Sequence, residues 1–308
     1  MAHIYIYSPS GAVRDKVAFR RGVKRLQAQG HEVEIDPDAL GSFQRFAGDD
    51  ETRLAAIGRA TASGAQIALT SRGGYGLTRL LPRLPYAELQ AAVERGTQFV
   101  GLSDVTALQL AMLARTNTPS WAGPALLEDF GTPEEPDEIM QACFDDLVSG
   151  QGEGTGWRLP LSDLRAHTEL QTSEGWSIEQ TMLWGGNLSV LVSLLGTPYF
   201  PAIDSGILFL EDVAEHPYRI ERMLTQLLHA GVLAKQQAIV LGQFNRYQLV
   251  PHDRGFKLAS VIDWLRQQLS IPVLTGLPFG HVPTKVLLPV GRRLDLMVHG
   301  REAILYWD

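Results

Sequence analysis

Four short apolar runs rich in β-forming residues, each followed by a segment of helical spacing, constrain this chain more than any other feature. His3–Tyr7 precedes Val13–Gln29, where Val17, Val23 and Leu26 recur at helical intervals and Gly30 supplies a stop. His31–Asp36 precedes Glu51–Ser63, and Gln66–Thr70 precedes Tyr86–Arg95. Gln98–Leu102 runs directly into the strongly apolar segment Asp104–Arg115. This alternation predicts an α/β fold, a doubly wound parallel sheet with helices on both faces.

Between about 131 and 175 the pattern weakens around one expected helix, Asp137–Ser149. The stretch Gly150-Gln-Gly-Glu-Gly-Thr-Gly156 reads as flexible; with no strand before it and no helix after it, its glycines make no dinucleotide fingerprint. Order resumes with an apolar helix over Gly186–Leu195, a buried strand over Gly206–Leu210 and a helix over Pro217–Leu228. A strand over Ala238–Leu241 and a helix over Leu258–Leu269 follow. The end of the chain is strand-rich, with Val273–Leu274, Lys285–Pro289, Leu294–Val298 and Ala303–Tyr306. We therefore divide the chain into an N-terminal domain (1–135), a connection (136–175) and a smaller mixed α/β C-terminal domain (176–308), a length that suits two moderate domains.

Composition removes several classes of function. A net charge of -7 and the lack of any Lys/Arg-rich run argue against nucleic acid or a membrane surface as partner. The start, MAHIYIYSPSG, has no basic segment leading into a long apolar one, and no stretch is apolar for long enough to span a bilayer. Cys143 is the sole cysteine, which suits a reducing compartment, and a cytoplasmic location is expected. No His-Glu-x-x-His pattern occurs, so neither a metal nor another cofactor is implied.

Three residues stand where chemistry is usually done. Ser103 lies where the buried strand Phe99-Val100-Gly101-Leu102 turns into a helix, the placement of a nucleophile elbow, although Gly-Leu-Ser-Asp-Val is not Gly-x-Ser-x-Gly. A plain N-cap serine would look the same. Glu211 closes the apolar strand Gly206–Leu210, as a solvated strand end would also do. His281 sits in Leu277-Pro278-Phe279-Gly280-His281-Val282-Pro283, a loop among turn formers, and is one of eight histidines. Arg72-Gly73-Gly74-Tyr75-Gly76 follows a strand; its glycines allow either a tight turn or a close backbone approach to a developing negative charge. The order serine, acid, histidine is the one used on doubly wound hydrolase sheets.

Taken together, these segments resemble the LD-carboxypeptidases of peptidase family S66, specifically the murein tetrapeptide carboxypeptidases. The matching pieces are Ser8-Pro9-Ser10-Gly11, Arg72-Gly73-Gly74-Tyr75-Gly76 and Gly101-Leu102-Ser103-Asp104-Val105-Thr106-Ala107. Leu183-Trp184-Gly185-Gly186-Asn187-Leu188, Leu210-Glu211-Asp212-Val213-Ala214-Glu215-His216-Pro217 and Phe279-Gly280-His281 follow in family order. The resemblance implies a doubly wound domain joined to a smaller mixed one, with the active site between them. It makes Ser103 the nucleophile, Glu211 the acid and His281 the base. The amides of Gly74 and Asp104 are candidates for the oxyanion hole. Arg72 and Arg219 are candidates for the substrate's terminal carboxylate, and Trp184 and Asn187 for the pocket wall. The implied partner is a murein tetrapeptide or its sugar-linked form, and the sequence leaves monomer and homodimer both open. Two rivals remain at this point: a related branch that cleaves peptidyl or aminoacyl nucleotide antibiotics, and a non-catalytic two-domain ligand-binding protein.

Overall fold

The computed structural model describes residues 1–171 and 175–307. In chain order its strands are β1 (His3–Tyr7), β2 (Glu32–Ile35), β3 (Ile67–Thr70), β4 (Gln98–Gly101), β5 (Ser120–Ala122), β6 (Gly154–Arg158), β7 (Trp176–Asn187), β8 (Ile207–Val213), β9 (Ala238–Asn245), β10 (Val273–Thr275), β11 (Leu288–Val290), β12 (Arg293–His299) and β13 (Glu302–Tyr306). They form two sheets in two compact units. The first unit comprises Met1–Gly152, Leu194–Pro201 and Pro283–Gly291; the second comprises Glu153–Ser193, Ala202–Val282 and Arg292–Asp308. The segment 136–175 divides between them, the helix Glu138–Ser149 falling in the first and β6 in the second.

In the first unit the strand order is β11-β5-β4-β3-β1-β2. Every pairing from β5 to β2 is parallel, and β11 closes the edge antiparallel to β5. Ile4, Ile6, Leu69 and Val100 on one face and Tyr5, Tyr7, Ala68 and Phe99 on the other are buried, as the two covered faces of a doubly wound sheet require. Helices start where acids cap them: Asp15 accepts from the amides of Val17 and Ala18, and Asp137 from those of Ile139 and Met140. The loops after β1, β3 and β4 share the carboxyl edge of adjacent parallel strands, the edge at which open α/β sheets bind ligands.

The second unit's sheet runs β10-β9-β8-β7-β12-β13-β6. From β10 to β7 the pairings are parallel, and from β7 to β6 antiparallel. β7 joins the two halves, pairing with β12 through its first part and with β8 through its last.

Three differences from the sequence reading have physical reasons. β7 escapes a period-two pattern because Gln180 adopts a left-handed φ of 46° in its middle, opposite a register shift between Leu294 and Leu296 of β12. The helix expected from Gly186 accordingly begins at Leu188. The glycine stretch expected to be flexible becomes in part β6, ordered by pairing with β13, a partner about 150 residues away that no local window shows. The strand expected within Lys285–Pro289 is β11, and it belongs to the first sheet. Among the described residues, no helix is long and apolar enough to cross a membrane.

Candidate active site

In the first unit the loops at the carboxyl edge converge on Ser103. Its φ is 64°, in the left-handed region that side chains with a Cβ avoid, and the helix Val105–Thr116 follows at once. A sharp, strained turn between strand and helix is the geometry that lifts a nucleophile above a sheet. Gly73 packs on it so closely that a Cβ there would lie 2.5 Å from Ser103 Cβ and 2.8 Å from its Oγ. The backbone of the glycine loop therefore rests against the hydroxyl. Among the described residues, the amides of Gly74 and Asp104 make no hydrogen bond, leaving two donors beside Ser103. The structure brings these three residues together.

Arg72 enters the same loop. Its Nη1 donates to the carbonyl of Ala12 at 3.2 Å, and its Nε lies 3.9 Å from Glu128 Oε1. The side chain stays 30% exposed, so the guanidinium is held yet reachable.

In the second unit Glu211 and His281 form a part-buried pair, with Glu211 Oε2 2.8 Å from His281 Nδ1. Glu211 has no exposed side-chain surface, and that of His281 is 15% exposed. β9 holds the histidine loop at three points. The Gln243 amide donates to Phe279 O (2.8 Å), Gln243 Nε2 to Leu277 O (3.0 Å) and Asn245 Nδ2 to His281 O (2.9 Å). Gly280, with φ at 133°, lets the loop come that close; a Cβ there would meet Glu211 Oε2 at 3.0 Å and Gln243 O at 3.1 Å.

Asn187, Glu211 and Asp212 form one polar cluster. Asn187 Nδ2 donates to Glu211 Oε1 and to Asp212 Oδ1, each at 3.1 Å. Its Oδ1 accepts from Ser189 Oγ and from the Val190 amide. Consecutive strand residues normally point to opposite faces; a register shift between Leu210 and Asp212 lets both carboxylates reach one amide. Asp212 also accepts from the amides of Ser189 and Val213. Burial, with the adjacent Glu211 charge adding to it, pushes its carboxyl up to about 6.

Two expected wall residues are corrected. Trp184 is fully buried in β7 with its indole N–H on Gln236 Oε1 (2.9 Å), which makes it core. Asn187 is buried with both amide protons committed to carboxylates, so it orients the acid instead of lining a pocket. Arg219 lies exposed on the helix Pro217–His229, its Nε on Tyr218 Oη and its Nη1 3.7 Å from Glu215. Sequence reading passed over Asp212 and Ser10. The first had a signal in the rarity of two adjacent acids ending an apolar strand; the second had none beyond its place in the Ser8–Gly11 motif.

Comparison with known proteins gives these arrangements a family. Residues 4–123 match the LD-carboxypeptidase N-terminal domain and residues 180–296 the LD-carboxypeptidase C-terminal domain. The crystal structure of muramoyltetrapeptide carboxypeptidase from Oxalobacter formigenes is 37% identical, covers 99% of each chain and superposes with a TM-score of 0.84. The murein tetrapeptide carboxypeptidase of Pseudomonas aeruginosa is 29% identical over 94% of this chain and 91% of its own. The microcin C7 self-immunity protein MccF of Escherichia coli is 26% identical over 74% of this chain and 71% of its own.

Proposed function

Since the chain belongs to the LD-carboxypeptidase family, we propose that it hydrolyses the bond between the L-centre of meso-diaminopimelate and the terminal D-alanine of a murein tetrapeptide, with Ser103, His281 and Glu211 as its catalytic triad. The observation that carries this reading is the bond from fully buried Glu211 to His281 Nδ1. A carboxylate on Nδ1 keeps the proton on that nitrogen and leaves Nε2 as the base.

In the proposed mechanism His281 Nε2 takes the Ser103 hydroxyl proton as Oγ attacks the scissile carbonyl. The amides of Gly74 and Asp104 hold the resulting oxyanion, each such donor contributing about 3 kcal/mol to the transition state. The imidazolium returns its proton to the leaving amine, and D-alanine departs. Water, deprotonated by the same nitrogen, then releases the tripeptide from the acyl enzyme and restores Ser103. Arg72 is the proposed anchor for the terminal carboxylate, with Arg219 as the alternative. The setting we infer is cytoplasmic wall recycling, on free tetrapeptide or its sugar-linked forms.

The test is incubation with L-Ala-γ-D-Glu-meso-diaminopimelate-D-Ala and measurement of free D-alanine. We expect release from this peptide and little from its L-alanine epimer or its C-terminal amide. The amide leaves a cation without its partner, a loss of about 2–5 kcal/mol where the pair is desolvated. Equal kcat/KM for all three substrates would reduce the chain to a general peptidase or esterase. Similarity to MccF supports one rival substrate class, and hydrolysis of a peptidyl nucleotide without any release of D-alanine would move the chain to that branch.

A further inference from the structure

Asp104 follows the nucleophile and stands where a helix N-cap is expected, yet its side chain caps nothing. An aspartate in that place ordinarily accepts from the first-turn amides of its own helix, at about 1 kcal/mol of stabilisation. Here Oδ2 instead accepts from Ser10 Oγ at 2.5 Å and from the Leu77 amide at 2.9 Å. Ser10 belongs to the loop after β1 and Leu77 ends the loop after β3, so one carboxylate oxygen ties both loops to the turn after β4. The two loops also touch directly, the Gly11 amide donating to Gly73 O at 3.2 Å.

This tie is expensive. Asp104 is 1% exposed and forms no direct ion pair among the described residues. The nearby cation, fully buried Arg53, is bonded to Asp50 and to the Pro9 carbonyl. Burial pushes the Asp104 carboxyl up, against the opposing pull of Ser10, the Leu77 and Gly76 amides and the Arg53 charge. A buried acid without a bonded cation costs stability, and a serine would cap the helix without that cost. The arrangement gives up stability for geometry at the one turn that carries the nucleophile.

Resting on the carboxypeptidase reading above, we propose that the Asp104 side chain is a positioning residue: by clamping Ser10 and Leu77 it fixes the 73–77 loop, and with it the Gly74 amide, against the turn that presents Ser103 and the Asp104 amide. The side chain thereby sets the spacing of the two oxyanion donors, one of which is its own backbone. An error of about 1 Å in such spacing costs about 100-fold in rate.

The test compares Asp104→Ala, Asp104→Asn and Ser10→Ala with the wild type. It reads kcat and KM for D-alanine release, the rate at which a fluorophosphonate labels Ser103, and the thermal midpoint. Asparagine keeps an oxygen where Oδ2 stands and so retains both clamping bonds while losing the charge. We expect Asp104→Ala to lower kcat and the labelling rate together by about 100-fold, with KM within about threefold. Asp104→Asn should stay within about tenfold of wild type, and Ser10→Ala should fall between the two. Wild-type kcat in Asp104→Ala overturns the proposal. So does an Asp104→Asn enzyme as slow as the alanine variant, which would make the charge the requirement, or a rise confined to KM, which would make the side chain a substrate contact. Should Asp104→Ala fail to fold, wild-type rates in Ser10→Ala overturn the proposal equally well. A wild-type protein that is labelled but releases no D-alanine overturns the substrate reading alone, and the labelling rates of the variants still decide the clamp.

Discussion

Ser103 and His281 are held by opposite means. The serine is set by backbone: a left-handed φ, a glycine pressed on its side chain and a helix that starts at once. The histidine is set by side chains: Glu211 on its ring, Asn187 behind Glu211, and Gln243 and Asn245 on the carbonyls of its loop. Both units place these groups at the carboxyl ends of parallel strands. A nucleophile needs exposure and a fixed direction, which strain and close packing supply. A base needs the right tautomer, which only a partner can supply.

The contrast implies different sensitivities to substitution. Ser103→Ala should remove turnover almost entirely, about 10⁶-fold in kcat, because no neighbouring group replaces the hydroxyl. The thermal midpoint should hardly move, since the strained turn keeps its backbone. Measurable turnover near the wild-type level in a folded Ser103→Ala protein would end the nucleophile assignment.

Glu211→Gln should cost about 10⁴-fold, and its cause lies one residue further back. Asn187 Nδ2 donates to Glu211 Oε1, so a glutamine would turn its carbonyl toward Asn187 and its NH₂ toward His281 Nδ1. That forces the ring proton onto Nε2 and abolishes the base. Adding Asn187→Ala should allow the glutamine to turn round and recover part of kcat. A double variant no faster than Glu211→Gln alone would show that charge, and not tautomer, is what Glu211 provides.

Gly73→Ala should act on the other side of the comparison, by about 100-fold in kcat, because its Cβ would stand 2.5 Å from that of Ser103 and the loop would have to move. Near-normal kcat would mean that the loop yields without disturbing the nucleophile.

This asymmetry also explains what could be read without coordinates. The turn at Ser103 and the glycine loop are local: a buried strand, small or polar residues and an apolar helix in one short window. The alternation that gave the first sheet is local in the same sense. The acid–base side depends on contacts 24 to 70 residues apart, such as Asn187 with Glu211 and Glu211 with His281, and no spacing rule links them. Glu211 and His281 became legible as a pair only through resemblance. Trp184 and Asn187 were misread because a motif reveals that residues occur together without revealing which of them face solvent.

The smallest effect concerns two buried carboxylates, Asp36 and Asp212. Asp36 accepts from Arg59 and Tyr5, and these bonds hold it below the ordinary carboxylate range although burial pulls the other way. Asp212 has amide donors but a carboxylate neighbour, forms no ion pair among the described residues, and stands at about 6 against an ordinary 3.8. The signs follow from which state binds the proton. For Asp36 the unfolded chain takes up the proton first, so its contribution is present above about pH 4 and is lost as the pH falls further. For Asp212 the folded protein holds the proton between about pH 4 and 6 while the unfolded chain has released it, so stability falls as the pH rises through that window and then levels off. The full span is on the order of 3 kcal/mol. Asp212→Asn should be less stable overall, because it loses an acceptor for Asn187, Val213 or Ser189, but its stability should decline less between pH 4.5 and 6.5. Urea unfolding of both proteins across that range measures the difference in slope. Parallel curves would show that Asp212 titrates as an ordinary carboxyl, and that Asn187 and the backbone amides offset its burial as fully as Arg59 offsets that of Asp36.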